Sequence, residues 1–400
     1  MRFPVRLALS SMMFLQFFIW GAWFVTLGTY LGQGLKLDAL QIGAAYSTMP
    51  WGALVAPLFV GMVADRYFRS ERVLAFCHLV GGALLWMASR ETNPTLLFWT
   101  LFVYALAYNP TLALVNAVAF HQMNDTGRQF PAIRVWGTLG WIAAGVAVGT
   151  LGVEATSWPM RLAAGASWLL GIGAFFLPET PPRGKGSEGG VARLFGLEAL
   201  VLLRDRSFAV FAAGSLLICI PLAFYYNFTN LFLNEQGLAN AAGVMTLGQV
   251  SEIVFMLVMP FCFSRLGIKK MLLIGMAAWA SRYLLFAFGA SGNVVAMFYL
   301  GILLHGVCYD FFFVTGQIYV DGKADPRIRA GAQGFITLLT YGLGMLIGSW
   351  VSGWVVKAHE ARLPGGGISH EWMPVWLVPA AMAGGVFLLF LALFKPKEKH

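Results

Sequence analysis

Charge is scarce in this chain. Asp, Glu, Lys and Arg account for 11% of its 400 residues, whereas a soluble domain carries about 25% charged residues. Hydrophobic residues make up 58% of the chain, and its mean hydropathy is +0.71. This balance excludes a soluble globular domain and predicts an integral membrane protein.

Cysteine is also rare, and several catalytic motifs are missing. The four cysteines are far apart in apolar segments, which indicates small buried side chains rather than a disulfide framework or a metal site. The sequence has no Gly-x-x-x-x-Gly-Lys-Ser/Thr loop for an ATP-driven pump and no His-Glu-x-x-His motif for a metal-dependent enzyme. We therefore expect no enzyme activity, no catalytic residues, no metal and no cofactor.

Long apolar runs take the place of charge. A hydrocarbon core about 30 Å thick needs roughly 20 apolar residues per helix. The first run is too long for a signal-peptide core and has no small-x-small cleavage site, so we expect it to remain as a helix. The sequence predicts an all-α polytopic membrane protein with twelve transmembrane helices. These lie near residues 7–31, 40–64, 73–90, 95–121, 132–154, 158–178, 208–233, 242–263, 271–290, 293–320, 330–356 and 373–394.

Basic residues are distributed asymmetrically between the loops. If the N-terminus is cytoplasmic, 21 Lys and Arg residues fall on the cytoplasmic side and five on the other. The positive-inside rule then predicts that both termini are cytoplasmic. The same distribution accounts for the net charge of +9 through loops beside anionic lipid head groups, so we expect the lipid bilayer and no nucleic acid as a partner.

One long polar interruption divides the spans six and six. Residues 179–205 are rich in proline and glycine at first and then mix apolar with charged residues, as a short interfacial helix would. We predict an N-terminal six-helix bundle at 1–178, a cytoplasmic linker with a short interfacial helix at 179–207, and a C-terminal six-helix bundle at 208–400.

The two halves repeat each other. Residues 131–134 read Pro-Ala-Ile-Arg at the start of the fifth span, and residues 326–329 read Pro-Arg-Ile-Arg at the start of the eleventh. Basic loops also follow the second and eighth spans at nearly the same offset. Matches in equivalent loops indicate duplication, and parallel six-span halves are the arrangement of the major facilitator superfamily.

The loop at residues 61–72 resembles the hallmark sequence of that superfamily between its second and third spans. It has a glycine, then Asp65 and Arg66, then the further basic residue Arg69, although Phe68 stands where a second glycine is usual. The resemblance implies a gating role, in which Asp65 accepts hydrogen bonds from a helix N-terminus and the arginines hold cytoplasmic partners. The alternative is a solvated, positively charged loop.

A single carboxylate, Glu252, lies near the middle of the apolar residues 243–263, one turn after Gln249. A charge at the centre of a bilayer costs about 2.5 to 3.5 kcal/mol, so such a residue normally faces a partner or water. Because desolvation favours the protonated form, Glu252 is the first candidate for proton coupling. Arg282 and Asp310 also stand in apolar surroundings, and we expect them to form a buried ion pair, with Asp310 as the alternative coupling site.

Other polar and aromatic side chains share helical faces. Aromatic rings mixed with hydrogen-bonding groups suit a flat polar ligand. Several of these residues also have a structural alternative: the tryptophans pack, His305 is a satisfied buried histidine, Asn227 joins helices, and Arg134 extends to the membrane surface. The candidate substrate contacts are Gln16, Trp20, Arg134, Thr138, Trp141, Tyr226, Asn227, Gln249, Glu252, His305 and Tyr309.

Six segments that lie in order over nearly the whole chain form a joint pattern: Phe14-Leu-Gln16-Phe-Phe-Ile-Trp20-Gly-Ala-Trp23, Tyr108-Asn-Pro110-Thr111-Leu-Ala-Leu-Val-Asn116, Pro131-Ala-Ile-Arg134-Val-Trp-Gly-Thr138, Gln249-Val-Ser-Glu252, Tyr309-Asp310-Phe-Phe and Arg329-Ala-Gly-Ala-Gln333-Gly. Together they resemble the bacterial nucleoside:proton symporter family of the major facilitator superfamily. The resemblance implies twelve helices in two bundles, a midplane site between them, and nucleoside uptake driven by the proton gradient. It also implies ligand or proton roles for Arg134, Thr138, Gln249, Glu252, Tyr309 and Asp310.

The chain departs from the family pattern at three positions. Ala223 and Tyr226 stand where the resemblance leads us to expect amide side chains, and His305 stands where it leads us to expect an aromatic residue. Symport of another small polar metabolite, a sugar or a nucleobase, is therefore the alternative function, and a flux measurement separates both from a non-transporting receptor. We expect a monomeric, multi-pass protein of the cell inner membrane that binds a small-molecule substrate and a proton.

Overall fold

The described residues of the computed structural model are almost wholly helical. They are residues 3–59, 67–182, 196–362 and 367–396. The chain divides into two compact units, one formed by Met1–Leu37 and Ala44–Gly190 and the other by Asp38–Gly43 and Val191–His400. The bundle and linker boundaries drawn from the sequence stay a prediction.

Six long helices lie in the first half of the chain. Short helical turns at Leu27–Thr29, Tyr30–Gly34 and Thr126–Gln129 supplement them. The long helices are α1 Phe3–Trp23, α2 Ala39–Phe59, α3 Ser70–Ala88, α4 Pro94–His121, α5 Pro131–Thr150 and α6 Trp158–Ala174.

Local sequence explains where α4 begins. The Asn93 side chain accepts hydrogen bonds from the backbone amides of Thr95 at 2.9 Å and Leu96 at 3.2 Å. Pro94 occupies the first helical position, where its missing amide hydrogen costs nothing because that amide would have no partner within the helix. The helix then runs through Pro110 to His121.

Close packing of α1 against α5 depends on glycine. A Cβ added at Gly140 would collide with the carbonyl oxygen of Phe14, and one added at Gly21 would lie 3.1 Å from the Cα of Trp141. The two backbones therefore touch, and this contact sets the positions of the side chains on the facing sides of α1 and α5.

The second half of the chain contains the other long helices. A left-handed backbone conformation at Gly267 (φ 67°) interrupts the helical stretch Leu247–Gly292, and we number its two parts separately because glycine adopts this conformation readily. The helices are α7 Arg206–Glu235, α8 at 247–266, α9 at 268–292, α10 Val295–Lys323, α11 Arg329–Ala358 and α12 Trp372–Leu393.

Shorter elements complete the second half. A 3-10 helix, Leu197–Arg204, precedes α7, and a short helix, Ala241–Met245, precedes α8. The strands β1 Glu360–Arg362 and β2 Ile368–His370 form an antiparallel pair between α11 and α12. Two π-helical turns interrupt the membrane helices: Asp310–Val314 lies within α10 and Leu338–Gly344 within α11. Such turns are frequent at functional sites.

Within the described ranges, nine helical stretches are long and apolar enough to cross a membrane. One of them, Ala241–Gly292, contains both α8 and α9. The 17-residue α6 and the 21-residue α2 are further apolar helices, and with them the described residues contain twelve apolar helices at the predicted places. Residues 60–64 of the second predicted span lie outside the described residues. The four cysteines are free thiols, of which Cys77, Cys219 and Cys308 are buried and Cys262 is half-buried.

Candidate functional site

Three aromatic rings meet where α1, α4 and α5 face one another. The ring centroids of Trp20 and Trp141 lie 5.5 Å apart, and those of Trp20 and Tyr108 lie 6.1 Å apart, both edge to face. The indole nitrogen of Trp20 is buried and has no hydrogen-bond partner among the described residues. The structure thus brings together the predicted residues Trp20 and Trp141 and leaves one donor beside them for a ligand.

Gln16 lies one turn before Trp20 but is fully buried. Its Nε2 donates to Oγ1 of Thr111 at 2.7 Å, and its Oε1 accepts from Nε2 of His78 at 2.8 Å. The hydroxyl of Tyr108 donates to the Gln16 carbonyl at 2.7 Å. Both ends of the Gln16 amide are hydrogen-bonded within the first unit, and these contacts support a packing role. A direct substrate contact by Gln16 stays a prediction.

Arg134 and Thr138 are half-buried residues on α5. The guanidinium of Arg134 lies over the ring of Phe17 on α1, 4.2 Å from its centroid. Gly137 makes room for this contact, because a Cβ there would lie 2.6 Å from Nη1 of Arg134 and 2.6 Å from Phe17. This cation-π contact holds the guanidinium on the face of α5 that packs against α1.

A polar cluster connects α7, α8, α9 and α10 in the second unit. Nη2 of Arg282 lies 3.2 Å from Nδ1 of His305, and Nε of Arg282 donates to the carbonyl of Gly301 at 3.0 Å. Nε2 of His305 lies 4.0 Å from Oε2 of Glu252, whose side chain is 20% exposed. The guanidinium of Arg282 also lies over the ring of Tyr225, at 4.3 Å. Glu252 therefore has the His305 imidazole beside it, and the permanently charged Arg282 contacts the other side of that imidazole.

The prediction of an ion pair between Arg282 and Asp310 is wrong. Asp310 is fully buried, and neither of its carboxylate oxygens accepts a hydrogen bond from a described residue. Arg282 binds α10 at Gly301 and His305 instead. Asp310 lies about 7.5 Å further along the helix axis than His305 at 1.5 Å per residue. Its electrostatic neighbour is the Glu252 carboxylate.

Aromatic rings enclose the His305 imidazole. Tyr225 stacks on it with centroids 5.4 Å apart, Tyr309 with centroids 5.7 Å apart, and Tyr226 lies edge-on at 6.4 Å. The hydroxyls of Tyr309 and Tyr341 share a hydrogen bond of 2.6 Å. Helical periodicity did not identify Tyr341, because a lone tyrosine in an apolar run gives no repeating signal.

The two candidate amides of this unit differ. Asn227 is buried, and its Nδ2 donates to the hydroxyls of Ser349 at 3.3 Å and Ser352 at 3.2 Å, which links α7 to α11. Gln249 is half-buried one turn before Glu252, and no hydrogen bond joins its side chain to another described residue. The geometry therefore favours Gln249 as the ligand-binding amide and Asn227 as a link between helices.

The candidate gating residues are described only in part. Asp65 and Arg66 lie outside the described residues. Arg69, just before α3, forms an ion pair with Glu179 in the segment after α6. Thr180 donates its backbone amide to Glu71 at 3.0 Å in the same region. Arg69 is therefore bound within the first unit, and its role in gating stays a prediction.

Comparison with known proteins gives a consistent relationship over the whole chain. The Nucleoside H+ symporter family matches residues 1–399. The "Putative nucleoside transporter YegT" of Escherichia coli (strain K12) is 44% identical over 402 residues, which cover 98% of this chain and 94% of the relative. The nucleoside permease NupG of the same organism is 34% identical over 411 residues, covering 98% and 97%.

Solved structures agree. The crystal structure of the nucleoside transporter NupG matches with a TM-score of 0.89 and 33% identity, covering 98% of this chain and 100% of that chain. The peptide transporter POT in complex with sulfate matches with a TM-score of 0.74 and 13% identity over 97% of this chain and 94% of that chain, a likeness of fold alone. The predicted major facilitator fold is confirmed.

These relationships settle the class of the molecule. Its relatives are transporters and not enzymes. Its apolar helices and its family identify a multi-pass inner membrane protein that acts on a small molecule and a proton. The family expected from the sequence motifs is confirmed, and the chain belongs to the nucleoside:H+ symporter family.

Proposed function

We propose that this protein imports nucleosides with protons by alternating access, as a monomer with both termini in the cytoplasm. The observation that carries the proposal is the joint placement of Gln249 and Glu252 on one face of α8. The half-buried Gln249 amide makes no hydrogen bond to another described residue, and Nε2 of His305 lies 4.0 Å from the Glu252 carboxylate. An amide can bind a polar ligand, and a partly desolvated carboxylate can take up and release a proton.

The ligand contacts follow from the two units taken separately. In the first unit, Trp20 and Trp141 offer aromatic surfaces, the indole N–H of Trp20 has no hydrogen-bond partner among the described residues, and Arg134 contributes a positive charge. In the second, Tyr309 and Gln249 supply an aromatic ring and an amide. Flat rings and a few placed donors and acceptors match a nucleobase joined to a sugar.

Proton coupling at Glu252 gives the transport its driving force. One elementary charge moving through 100 mV corresponds to about 2.3 kcal/mol. At 1.4 kcal/mol per factor of ten, this supports roughly 50-fold accumulation of substrate. Coupling requires that the loaded carrier reorients only when the carboxylate is protonated, so that substrate and proton cross together.

Uptake into proteoliposomes tests the proposal. Purified protein is reconstituted with an imposed inward proton gradient, and a panel of labelled nucleosides, nucleobases and sugars is offered. We expect nucleosides to accumulate above equilibrium and a protonophore to abolish that accumulation. Accumulation that is undiminished by the protonophore contradicts proton coupling, and accumulation confined to sugars or nucleobases contradicts the substrate class.

The Glu252→Gln variant locates the coupling site. Glutamine keeps the shape and hydrogen bonding of the protonated carboxyl but cannot release a proton. We expect the variant to exchange internal for external nucleoside and to lose uphill accumulation. Intact accumulation would move the proton site elsewhere, with Asp310 the next candidate.

A further inference from the structure

The hydrogen bond between Arg282 and His305 has only one possible direction. A guanidinium has five N–H donors, no acceptor, and stays protonated in proteins. Nη2 of Arg282 lies 3.2 Å from Nδ1 of His305, so Nδ1 must supply a lone pair to this contact. A neutral imidazole that accepts at Nδ1 carries its proton at Nε2.

That proton points toward the carboxylate of α8. Nε2 of His305 lies 4.0 Å from Oε2 of Glu252. The ring is held in this orientation by Tyr225, stacked at 5.4 Å, and Tyr309, stacked at 5.7 Å. On the opposite edge, Arg282 is itself fixed by its bond to the Gly301 carbonyl at 3.0 Å. The order of the contact chain is therefore cation, acceptor nitrogen, donor nitrogen, carboxylate.

Charges on the surrounding helices act on His305 in opposite directions. Among the described residues, the groups facing it are Tyr225 and Tyr226 on α7, Glu252 on α8, Arg282 on α9 and its own neighbour Tyr309 on α10. Glu252 favours an imidazolium and Arg282 opposes one. The Arg282 contact is the shorter of the two, and a second proton at Nδ1 would place two hydrogen-bond donors against each other. Burial also disfavours the charged ring, so the neutral imidazole is favoured.

We propose that Arg282 is a positioning residue of the coupling site, which holds His305 as a neutral imidazole with its proton at Nε2 facing Glu252, so that the transported proton is carried by carboxylate and not by histidine. The second half of this inference rests on the proposed proton coupling. The first half, the tautomer of His305, is a property of the resting protein and is measured without transport.

Nitrogen NMR of the histidine rings tests the tautomer directly. The chain contains six histidines, so the full-length protein labelled with 15N and 13C histidine and placed in lipid nanodiscs gives a small set of signals. The His305→Gln variant assigns the signal of His305. We expect a proton at Nε2, none at Nδ1, and no change between about pH 5 and 8, the range in which histidines ordinarily titrate. A signal from a doubly protonated ring, or from a ring protonated only at Nδ1, overturns the proposal.

The Arg282→Gln variant tests the cause. Glutamine keeps a donor near Nδ1 but removes the permanent charge, so we expect the His305 signal to become pH-dependent and to gain a proton at Nδ1 as the pH falls. Arg282→Lys, which keeps the charge, should leave the ring neutral. A His305 signal that is pH-independent in Arg282→Gln overturns the role of Arg282, and if neither variant folds, the wild-type spectrum still decides the tautomer.

Transport separates this inference from the proposed function. The number of protons taken up per nucleoside, measured with a pH-sensitive dye inside proteoliposomes, should be the same in His305→Gln as in wild type at any remaining uptake rate. Loss of proton uptake with retained exchange in that variant would make histidine a proton carrier and overturn the proposal. Uncoupled uptake by the wild-type protein, together with the expected NMR tautomer, would reject the proposed function and keep the positioning role of Arg282.

Discussion

Nε2 of His78 donates a hydrogen bond of 2.8 Å to Oε1 of Gln16, and this contact joins α3 to α1. The direction follows because Nε2 of Gln16 donates to Thr111 on α4, which leaves the amide oxygen to accept. The hydroxyl of Ser167 on α6 donates to the carbonyl of His78 at 2.8 Å. A single fully buried network thus connects four helices one turn away from Trp20.

We predict that Gln16→Leu destabilises the protein. The substitution removes an amide and strands the Nε2–H of His78 in an apolar interior. Leaving such a group unsatisfied costs about 1 to 3 kcal/mol. The expected result is a lower melting temperature in detergent, measured by tryptophan fluorescence.

A double-mutant cycle with His78→Phe controls this prediction. If the two side chains stabilise the fold through their mutual bond, the double variant loses less stability than the two single variants together. Additive losses of stability would show that Gln16 and His78 do not stabilise the fold through their mutual hydrogen bond. An unchanged melting temperature with a weakened nucleoside affinity in Gln16→Leu would instead restore Gln16 as a substrate contact.

For Gln249→Ala we predict weaker nucleoside binding and unchanged stability, the opposite of the result expected for Gln16→Leu. The Gln249 side chain is half-buried and makes no hydrogen bond within the described part of the chain, so its removal strands no internal partner. Loss of one hydrogen bond to a bound ligand costs about 1 to 3 kcal/mol, which corresponds to an affinity weaker by roughly 5- to 150-fold. Equilibrium binding of labelled nucleoside and the melting temperature are measured together.

Gln317→Ala is the matched control for Gln249. Gln317 is an exposed glutamine of α10, and its replacement should change neither quantity. Equal affinities of the Gln249→Ala variant and the wild type for every nucleoside tested would place Gln249 outside the binding site.

Apolar run length was enough to predict the number and order of the helices, whereas the two-bundle fold was predicted from the repeat between the halves and from the family resemblance. Each span needs about 20 apolar residues whatever its neighbours, so the number and order of the helices can be read without tertiary information. The same reasoning found Glu252 as an isolated carboxylate and grouped it with Gln249, because residues three or four apart share a helical face.

Contacts between helices could not be predicted in this way. Arg282 and Asp310 are on consecutive helices, but their relative height depends on how α9 and α10 slide and rotate against each other, which sequence spacing does not record. The actual partner of Arg282 is His305. Periodicity likewise placed Gln16 and Trp20 on one face of α1, but it did not show that the Gln16 amide is hydrogen-bonded to Thr111 and His78.

We predict that Asp310→Asn preserves stability and impairs coupling. Because Asp310 is fully buried and its oxygens accept no hydrogen bond from a described residue, the substitution strands no cation. Removing a buried carboxyl that has no described cation beside it should leave the stability unchanged or raise it by on the order of 1 kcal/mol. Uphill nucleoside accumulation should fall, since Asn cannot exchange a proton near Glu252.

Melting temperature and uptake, measured on the same preparation, check this prediction. Glu252→Gln serves as the comparison, since it changes the other carboxylate of the pair. A large loss of stability in Asp310→Asn would indicate an ion pair that forms in another conformation, and intact accumulation would leave Glu252 as the coupling residue.

The last prediction concerns Asp205, which lies just before α7 outside the membrane-spanning residues. Its Oδ1 accepts the backbone amide of Phe208 at 3.0 Å and caps the helix, while its Oδ2 accepts from Nζ of Lys323 at 2.8 Å. The hydrogen bond from Lys323 is the main cause that holds the pKa of Asp205 below its ordinary value. Asn at this position keeps the cap and loses the ion pair, so Asp205→Asn isolates the pair.

The sign of the pH dependence follows from this lowered pKa. A carboxyl whose pKa is lower in the folded than in the unfolded protein stabilises the fold above the unfolded value of about 3.9, and the stabilisation is lost as the pH falls through the folded value. We expect the melting temperature of the wild type to exceed that of Asp205→Asn at neutral pH and the difference to shrink below about pH 4.

Because the Asp205 side chain is 37% exposed, the difference in stability should be under about 1 kcal/mol and should also shrink at high salt. Asp205→Ala, which loses the cap as well, should cost about 1 kcal/mol more. A difference between wild type and Asp205→Asn that is the same at every pH and salt concentration would show that the ion pair contributes nothing to stability.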